Sequence, residues 1–139
     1  MIIGYTAGVY DLFHLGHVNL LRNAKSLCDK LIVGVTVDEL VEYKNKQPVI
    51  PYLERIQVVR ACRYVDVAIP QVSIDKIEAV RKLKANTLFV GDDWYENPKW
   101  EKMEGELKDL NCRVLYFPYT QGTSSTLINE TLMSLRSQC

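Results

Sequence analysis

The run Leu31-Ile32-Val33-Gly34-Val35-Thr36-Val37 is apolar and largely β-branched on both of its faces. That is the pattern of a strand buried on either side within a parallel sheet. Four shorter runs repeat it: Ile2 to Ala7, Val65 to Ile69 closed by Pro70, Thr87 to Gly91, and Arg113 to Phe117 closed by Pro118. Amphipathic segments fill the gaps. Between His17 and Cys28, the residues Leu20, Leu21, Ala24, Leu27 and Cys28 share one helical face. Pro51 opens a helix to about Arg63, with Ile56, Val59 and Ala61 on its apolar side. Ser73 is the expected N-cap of a helix with Asp75 in its first turn and Ile77, Val80 and Leu83 turned inward. Asn97-Pro98 starts another, reaching about Leu110, and a last helix begins near Ser124 with Leu127, Ile128, Leu132 and Leu135. Glu42 to Pro51 reads as the longest irregular stretch. Strands alternating with helices give an α/β protein. Right-handed crossovers then predict a single doubly wound, Rossmann-like domain over residues 1–139, with a five-stranded parallel sheet in the order 3-2-1-4-5.

Charge narrows the partners. Lys plus Arg and Asp plus Glu are both 17, so the net charge is zero. A general nucleic-acid or membrane-surface binder carries a basic excess, and no nucleic-acid partner is expected. No apolar run reaches the ~18 residues of a membrane span, so no membrane insertion is expected either. The cysteines Cys28, Cys62, Cys112 and Cys139 form no CxxC pair. They read as small hydrophobes or surface thiols of a reduced, cytoplasmic protein.

In such a sheet, ligands bind beyond the carboxyl ends of the strands, where the strand order reverses between strands 1 and 4. The loop after strand 1 is Gly8-Val9-Tyr10-Asp11-Leu12-Phe13-His14-Leu15-Gly16-His17. It holds the only two histidines of the chain, at a helix N-terminus that attracts anions. Imidazoles there can donate hydrogen bonds to phosphate oxygens, and Gly16 lets backbone approach a ligand. Zinc would need further ligands at suitable spacing, and none is adjacent; no protein metal site is expected. After strand 2, Lys44 and Lys46 suit either a loop closing over a polyanion or a plain solvated basic loop. Gly91-Asp92-Asp93-Trp94 suits base or ribose recognition, an indirect metal contact, or a polar turn whose Trp94 packs on the core. Thr120-Gln121-Gly122-Thr123-Ser124-Ser125-Thr126 is either a second anion cradle or a simple N-cap. Three loops at one sheet edge thus offer phosphate donors. Neither G-x-G-x-x-G after strand 1 nor a P-loop is present.

His14-Leu15-Gly16-His17 resembles the HxGH signature of the nucleotidylyltransferase superfamily. GDDW and the late Thr120 to Thr126 segment make the chain most similar to the cytidylyltransferase branch, and within it to the bacterial glycerol-3-phosphate cytidylyltransferases. Val37-Asp38-Glu39, Glu54-Arg55 and Arg63-Tyr64-Val65-Asp66 add to the likeness, which spans the chain. The late family pattern Arg-Thr-Glu-Gly-Ile-Ser-Thr-Thr departs here at Tyr119, which replaces a phosphate-contacting arginine, and at Gln121. A tyrosine supplies neither the charge nor the fork of donors.

The resemblance implies transfer from CTP, with Mg²⁺ accompanying the triphosphate, to sn-glycerol 3-phosphate or another phosphorylated alcohol or sugar. ATP as donor and a non-catalytic nucleotide-binding module are the alternatives. It implies catalytic roles for His14, His17, Lys46 and Arg55. The nucleotide would meet Val9, Tyr10, Asp11, Gly16, Asp93, Tyr119, Thr120, Gly122, Ser124, Ser125 and Thr126 besides the histidines and Lys46. Asp11 would orient neighbouring groups or a hydrated Mg²⁺. The acceptor would meet Lys44, Arg63 and Lys76. A homodimer and a product feeding cell-surface polymer synthesis are further implications of the resemblance.

Overall fold

A computed structural model of the chain describes residues 1–43, 47–91 and 98–117. The elements are β1 (Ile3–Gly8), α1 (Leu15–Ser26), β2 (Lys30–Thr36), α2 (Asp38–Tyr43), α3 (Tyr52–Ala61), β3 (Val67–Gln71), α4 (Lys76–Leu83), β4 (Thr87–Gly91), α5 (Pro98–Asp109) and β5 (Arg113–Phe117). The five strands are all parallel, in the order β3-β2-β1-β4-β5. This is the expected doubly wound sheet. The order reverses at β1, which pairs with β2 from Ile3↔Lys30 to Gly8↔Val35 and with β4 at Gly4↔Thr87 and Tyr5↔Leu88.

Each face of the sheet buries its own core. On one side, Leu21 and Ala24 of α1 and Ile56 and Val59 of α3 meet Leu31, Val33, Val35 and Phe89. On the other, Val80 of α4 and Trp100 and Leu107 of α5 meet Tyr5, Ile32, Leu88 and Val90. The β-branched run of β2 is buried from Leu31 through Thr36 because both layers of helix cover it. Two glycines make room for neighbours. A Cβ on Gly4 would stand 2.6 Å from Phe89 Cε2 and 2.9 Å from Cys28 Sγ, and one on Gly34 would stand 2.5 Å from the Tyr5 hydroxyl. At the amino edge of the sheet, side chains tie the strand starts together. Asp66 accepts from Lys25 Nζ and Leu31 N, both at 2.7 Å, and Asn86 Oδ1 accepts from Ile3 N at 2.8 Å.

Several boundaries differ from the sequence reading. α1 starts at Leu15 rather than His17, with His14 as its N-cap, and ends at Ser26. β3 begins at Val67 and runs through Pro70 to Gln71. It is one of the two edge strands, and an edge strand tolerates a missing N–H. α3 stops at Ala61, which is exposed, so that residue is not part of its apolar side. α4 is capped by Asp75, whose Oδ1 accepts from Ile77 N and Glu78 N; Ser73 instead accepts from Asp75 N. α2 was not anticipated. Asn97 and the helix expected from Ser124 lie outside the described residues.

Candidate active site

The loop after β1 turns twice through left-handed backbone, at Tyr10 (φ 55°) and Leu12 (φ 51°). Such a conformation costs a bulky L-residue ~1–3 kcal/mol, and surrounding contacts must hold it. They do so here. The Tyr10 ring folds back beneath Gly8 and is buried at 5% exposure, with its phenol near Thr6. Thr6 Oγ1 donates to Phe89 O at 3.1 Å, tying β1 to β4 at the point where strand order reverses. Burial drives the Tyr10 phenol well above its usual value. Tyr10, expected to meet the nucleotide, is therefore part of the floor beneath the loop.

The histidines form a reciprocal cap at the start of α1. His14 is extended (φ −144°), and its Nδ1 accepts from Gly16 N at 2.9 Å; His17 Nδ1 accepts from His14 N at 3.1 Å. This is a capping box in which imidazoles replace the usual hydroxyl and carboxylate. It has a chemical consequence. With both Nδ1 atoms accepting, each neutral ring carries its proton on Nε2. Two Nε2–H donors then stand on adjacent rings, whose centroids are 4.1 Å apart. Phe13 stacks on His17 at 5.3 Å, and Tyr10 tilts against it at the same distance. Burial first, and then the neighbouring His14, lower the His17 pKa to about 4, with Asp11 opposing; burial also lowers that of His14. Both rings are neutral donors at pH 7. The orphan N–H groups and positive dipole of α1 add to their attraction for an anion.

Asp11 and Arg55 face protein backbone. Asp11 Oδ2 accepts from Val49 N at 2.8 Å and Oδ1 from Ile50 N at 2.9 Å. The Arg55 side chain has no exposed surface. Its Nε donates to Ile50 O, its Nη1 to Val9 O and Thr36 O, and its Nη2 to Asp38 Oδ1 at 2.6 Å. The charge expected at the phosphates is thus enclosed beneath the loop, and Val9 presents its carbonyl to it. Lys76 is the buried first residue of α4, at the same carboxyl edge of the sheet. Arg63 is elsewhere. It follows the far end of α3, next to the turn where Asp66 N donates to Leu31 O at the amino edge of β2, and its Nη2 donates to the Tyr64 hydroxyl. The structure does not bring it to the histidines of its own chain. Lys44, Lys46, Asp93, Tyr119, Thr120, Gly122, Ser124, Ser125 and Thr126 lie outside the described residues.

Two contributors had no role assigned from sequence, Asp38 and Phe13. An acidic residue opening α2 is a weak signal for Asp38, and Phe13 is marked only by its place beside His14.

A polar helix start with two neutral imidazole donors, at the reversal point of a five-stranded parallel sheet, defines a phosphate-handling nucleotide fold. The sequence profile of the cytidylyltransferase-like family matches residues 5–131, and the chain belongs to that family. The glycerol-3-phosphate cytidylyltransferase of Staphylococcus aureus is 37% identical over 131 residues, 91% of this chain and 92% of that protein. An FAD synthase of Archaeoglobus fulgidus is 39% identical over 108 residues, 78% of each chain. Among solved structures, a lipopolysaccharide core biosynthesis protein of Thermoplasma volcanium superposes with a TM-score of 0.72 at 25% identity, covering 88% of this chain and 99% of that one.

Proposed function

We propose that this chain is an enzyme that transfers the cytidylyl group of CTP to sn-glycerol 3-phosphate, giving CDP-glycerol and pyrophosphate. The observation that carries this reading is the reciprocal histidine cap, which sets two Nε2–H donors side by side at a helix N-terminus. Family membership and the Staphylococcus aureus relative support the choice of substrates.

An oxygen of the acceptor phosphate attacks the α-phosphorus in line. The new P–O bond forms as the bond to the bridging oxygen breaks, and pyrophosphate leaves. A phosphate monoester is already largely ionised near neutrality, its second pKa being ~6, so no strong base is needed. Charge gathers on the non-bridging and leaving oxygens, and positioned donors stabilise it. His14 and His17 supply those donors as neutral hydrogen-bonding groups. Lys46 holds the nucleotide phosphates, Lys44 and Lys76 the acceptor phosphate, Asp93 the base, and Ser124, Ser125 and Thr126 the phosphates beside Gly122. A Mg²⁺ ion accompanying the triphosphate would supply charge that neutralises its oxygens. A cytoplasmic homodimer making a precursor of cell-surface polymer belongs to the same reading.

The test is pyrophosphate release by purified protein with Mg²⁺, CTP and sn-glycerol 3-phosphate, beside ATP and no-acceptor reactions. Release that needs both substrates, and that falls ~10²–10³-fold in His14→Ala or His17→Ala, is expected for lost transition-state donors. Near-wild-type turnover in folded histidine variants would overturn the assignment. The FAD synthase relative favours a second reading, the same chemistry with ATP as donor; release with ATP and none with CTP would select it.

A further inference from the structure

Ile50 is held from both sides. Its N–H donates to Asp11 of the histidine loop, and its carbonyl accepts from Arg55 Nε. Arg55 also grips that loop at Val9 O, at 2.6 Å, and the end of β2 at Thr36 O, at 2.8 Å. The remaining arm of the guanidinium reaches Asp38 Oδ1, while Asp38 Oδ2 accepts from Tyr52 N at 3.2 Å. Asp38 opens α2, which leads into residues 44–46, and Val49 and Ile50 lead out of them. One buried guanidinium and two carboxylates therefore tie both flanks of the basic segment to the loop that carries His14 and His17.

We propose that Asp11, Arg55 and Asp38 act as positioning residues: a clasp that fixes the loop of His14 and His17 relative to the start of α2 and to Val49 and Ile50 when a triphosphate is bound. The proposal rests on the nucleotidyl-transfer reading above. At Arg55 the contacts argue for this role over direct contact with phosphate; at Asp11 the Mg²⁺ dependence of the rate separates a brace from a metal partner. The Arg55 fork is enclosed and spent on carbonyls and on Asp38, whereas a phosphate-binding arginine presents its fork to the ligand. Each Asp11 oxygen accepts a backbone N–H, as a loop brace does. Misplacing a reacting group by about 1 Å can cost ~10²-fold in rate. A loosened clasp therefore lowers turnover more than ground-state affinity, since attraction between opposite charges tolerates a displacement that in-line attack does not.

The experiment compares wild type with Asp11→Asn, Asp38→Asn and Arg55→Lys. Asn at position 11 is isosteric but turns an amide NH₂ toward one of the two N–H donors. The expected result is a ~10–100-fold fall in kcat, with KM for CTP and the Mg²⁺ concentration for half-maximal rate both close to wild type. In parallel, tryptic cleavage after Lys44 and Lys46 is timed without nucleotide, and is expected to quicken several-fold in the folded variants. A raised KM with kcat intact would make these residues phosphate contacts and overturn the proposal. A shifted Mg²⁺ requirement would make Asp11 a metal partner and overturn it as well, and so would unchanged tryptic cleavage. If one variant fails to fold, the other two carry the comparison. If wild type turns over neither CTP nor ATP, the functional reading fails, while the cleavage arm still decides whether the clasp exists.

Discussion

His17 does two jobs with one ring: its Nδ1 accepts from His14 N in the cap, while its Nε2–H remains a donor. Protonation at Nδ1 would break the cap, place a cation beside His14 and charge a ring stacked on Phe13. The sign of the resulting pH dependence follows. The folded pKa is about 4, below the ~6.5 of an unfolded histidine. As pH falls, the unfolded chain takes the proton first. The contribution is fully present above about pH 6.5 and is lost as pH falls toward 4; its size is on the order of 3 kcal/mol. In urea titrations between pH 7.5 and 4.5, the stability of wild type relative to His17→Gln should therefore fall with pH, because glutamine at this position can still cap but does not titrate. Parallel curves across that range would mean that the ring is not held neutral by folding. The histidines were legible in the sequence because the cap is local: three residues separate them, and a helix start fixes their spacing. Arg55 and Asp38 were not. They lie 17 positions apart on two different helices, and only the tertiary fold shows that the guanidinium is enclosed among carbonyls and Asp38.

β2 and β4 were readable because burial from both sides demands continuous apolar sequence, and their interiors admit little else. β3 shifted by two residues because an edge strand obeys weaker rules; Pro70 ended it on paper and sits inside it in the fold. α2 is six residues long, too short for a periodic signal. The start of α4 offers a direct test of competing caps. Asp75→Ala should cost ~1 kcal/mol, because its carboxylate satisfies two helix N–H groups, and Ser73→Ala should cost less. Equal losses in chemical denaturation would mean that Ser73 shares the cap. Packing between α1, β1 and β4 is tighter still. Gly4→Ala should destabilise by ~1–3 kcal/mol, because Phe89 and Cys28 already fill the space of a Cβ. Phe89→Leu in the Gly4→Ala background should recover part of that loss, and a purely additive double variant would contradict the steric account.

Ligand binding and folding are linked through the same loop. If CTP with Mg²⁺ binds only the folded chain, then at one hundred times its dissociation constant it adds about 2.7 kcal/mol of stability. For a domain of this size that is a rise in melting temperature of roughly 5–10 °C. Thermal denaturation with CTP, ATP and neither would rank the two donors independently of turnover, and no shift with either would count against a nucleotide site.

The strand that comes first in the sequence lies at the middle of the sheet, and this shapes how the protein can be made. As the chain leaves the ribosome, β1 and β2 emerge early and can pair, but β1 keeps one edge bare. The partner for that edge, β4, starts at Thr87, and the contacts that seal it, Asn86 to Ile3 and Thr6 to Phe89, each span 83 positions of chain. Pairings so distant form late. The histidine loop follows β1 directly, and the strand that carries it is fixed on that side only when Thr6 meets Phe89. A nascent chain halted short of β4 would thus carry the two histidines already in place in its sequence, an exposed strand beside them, and no assembled phosphate site. Until β4 has emerged, that edge of β1 is open to pairing with another chain.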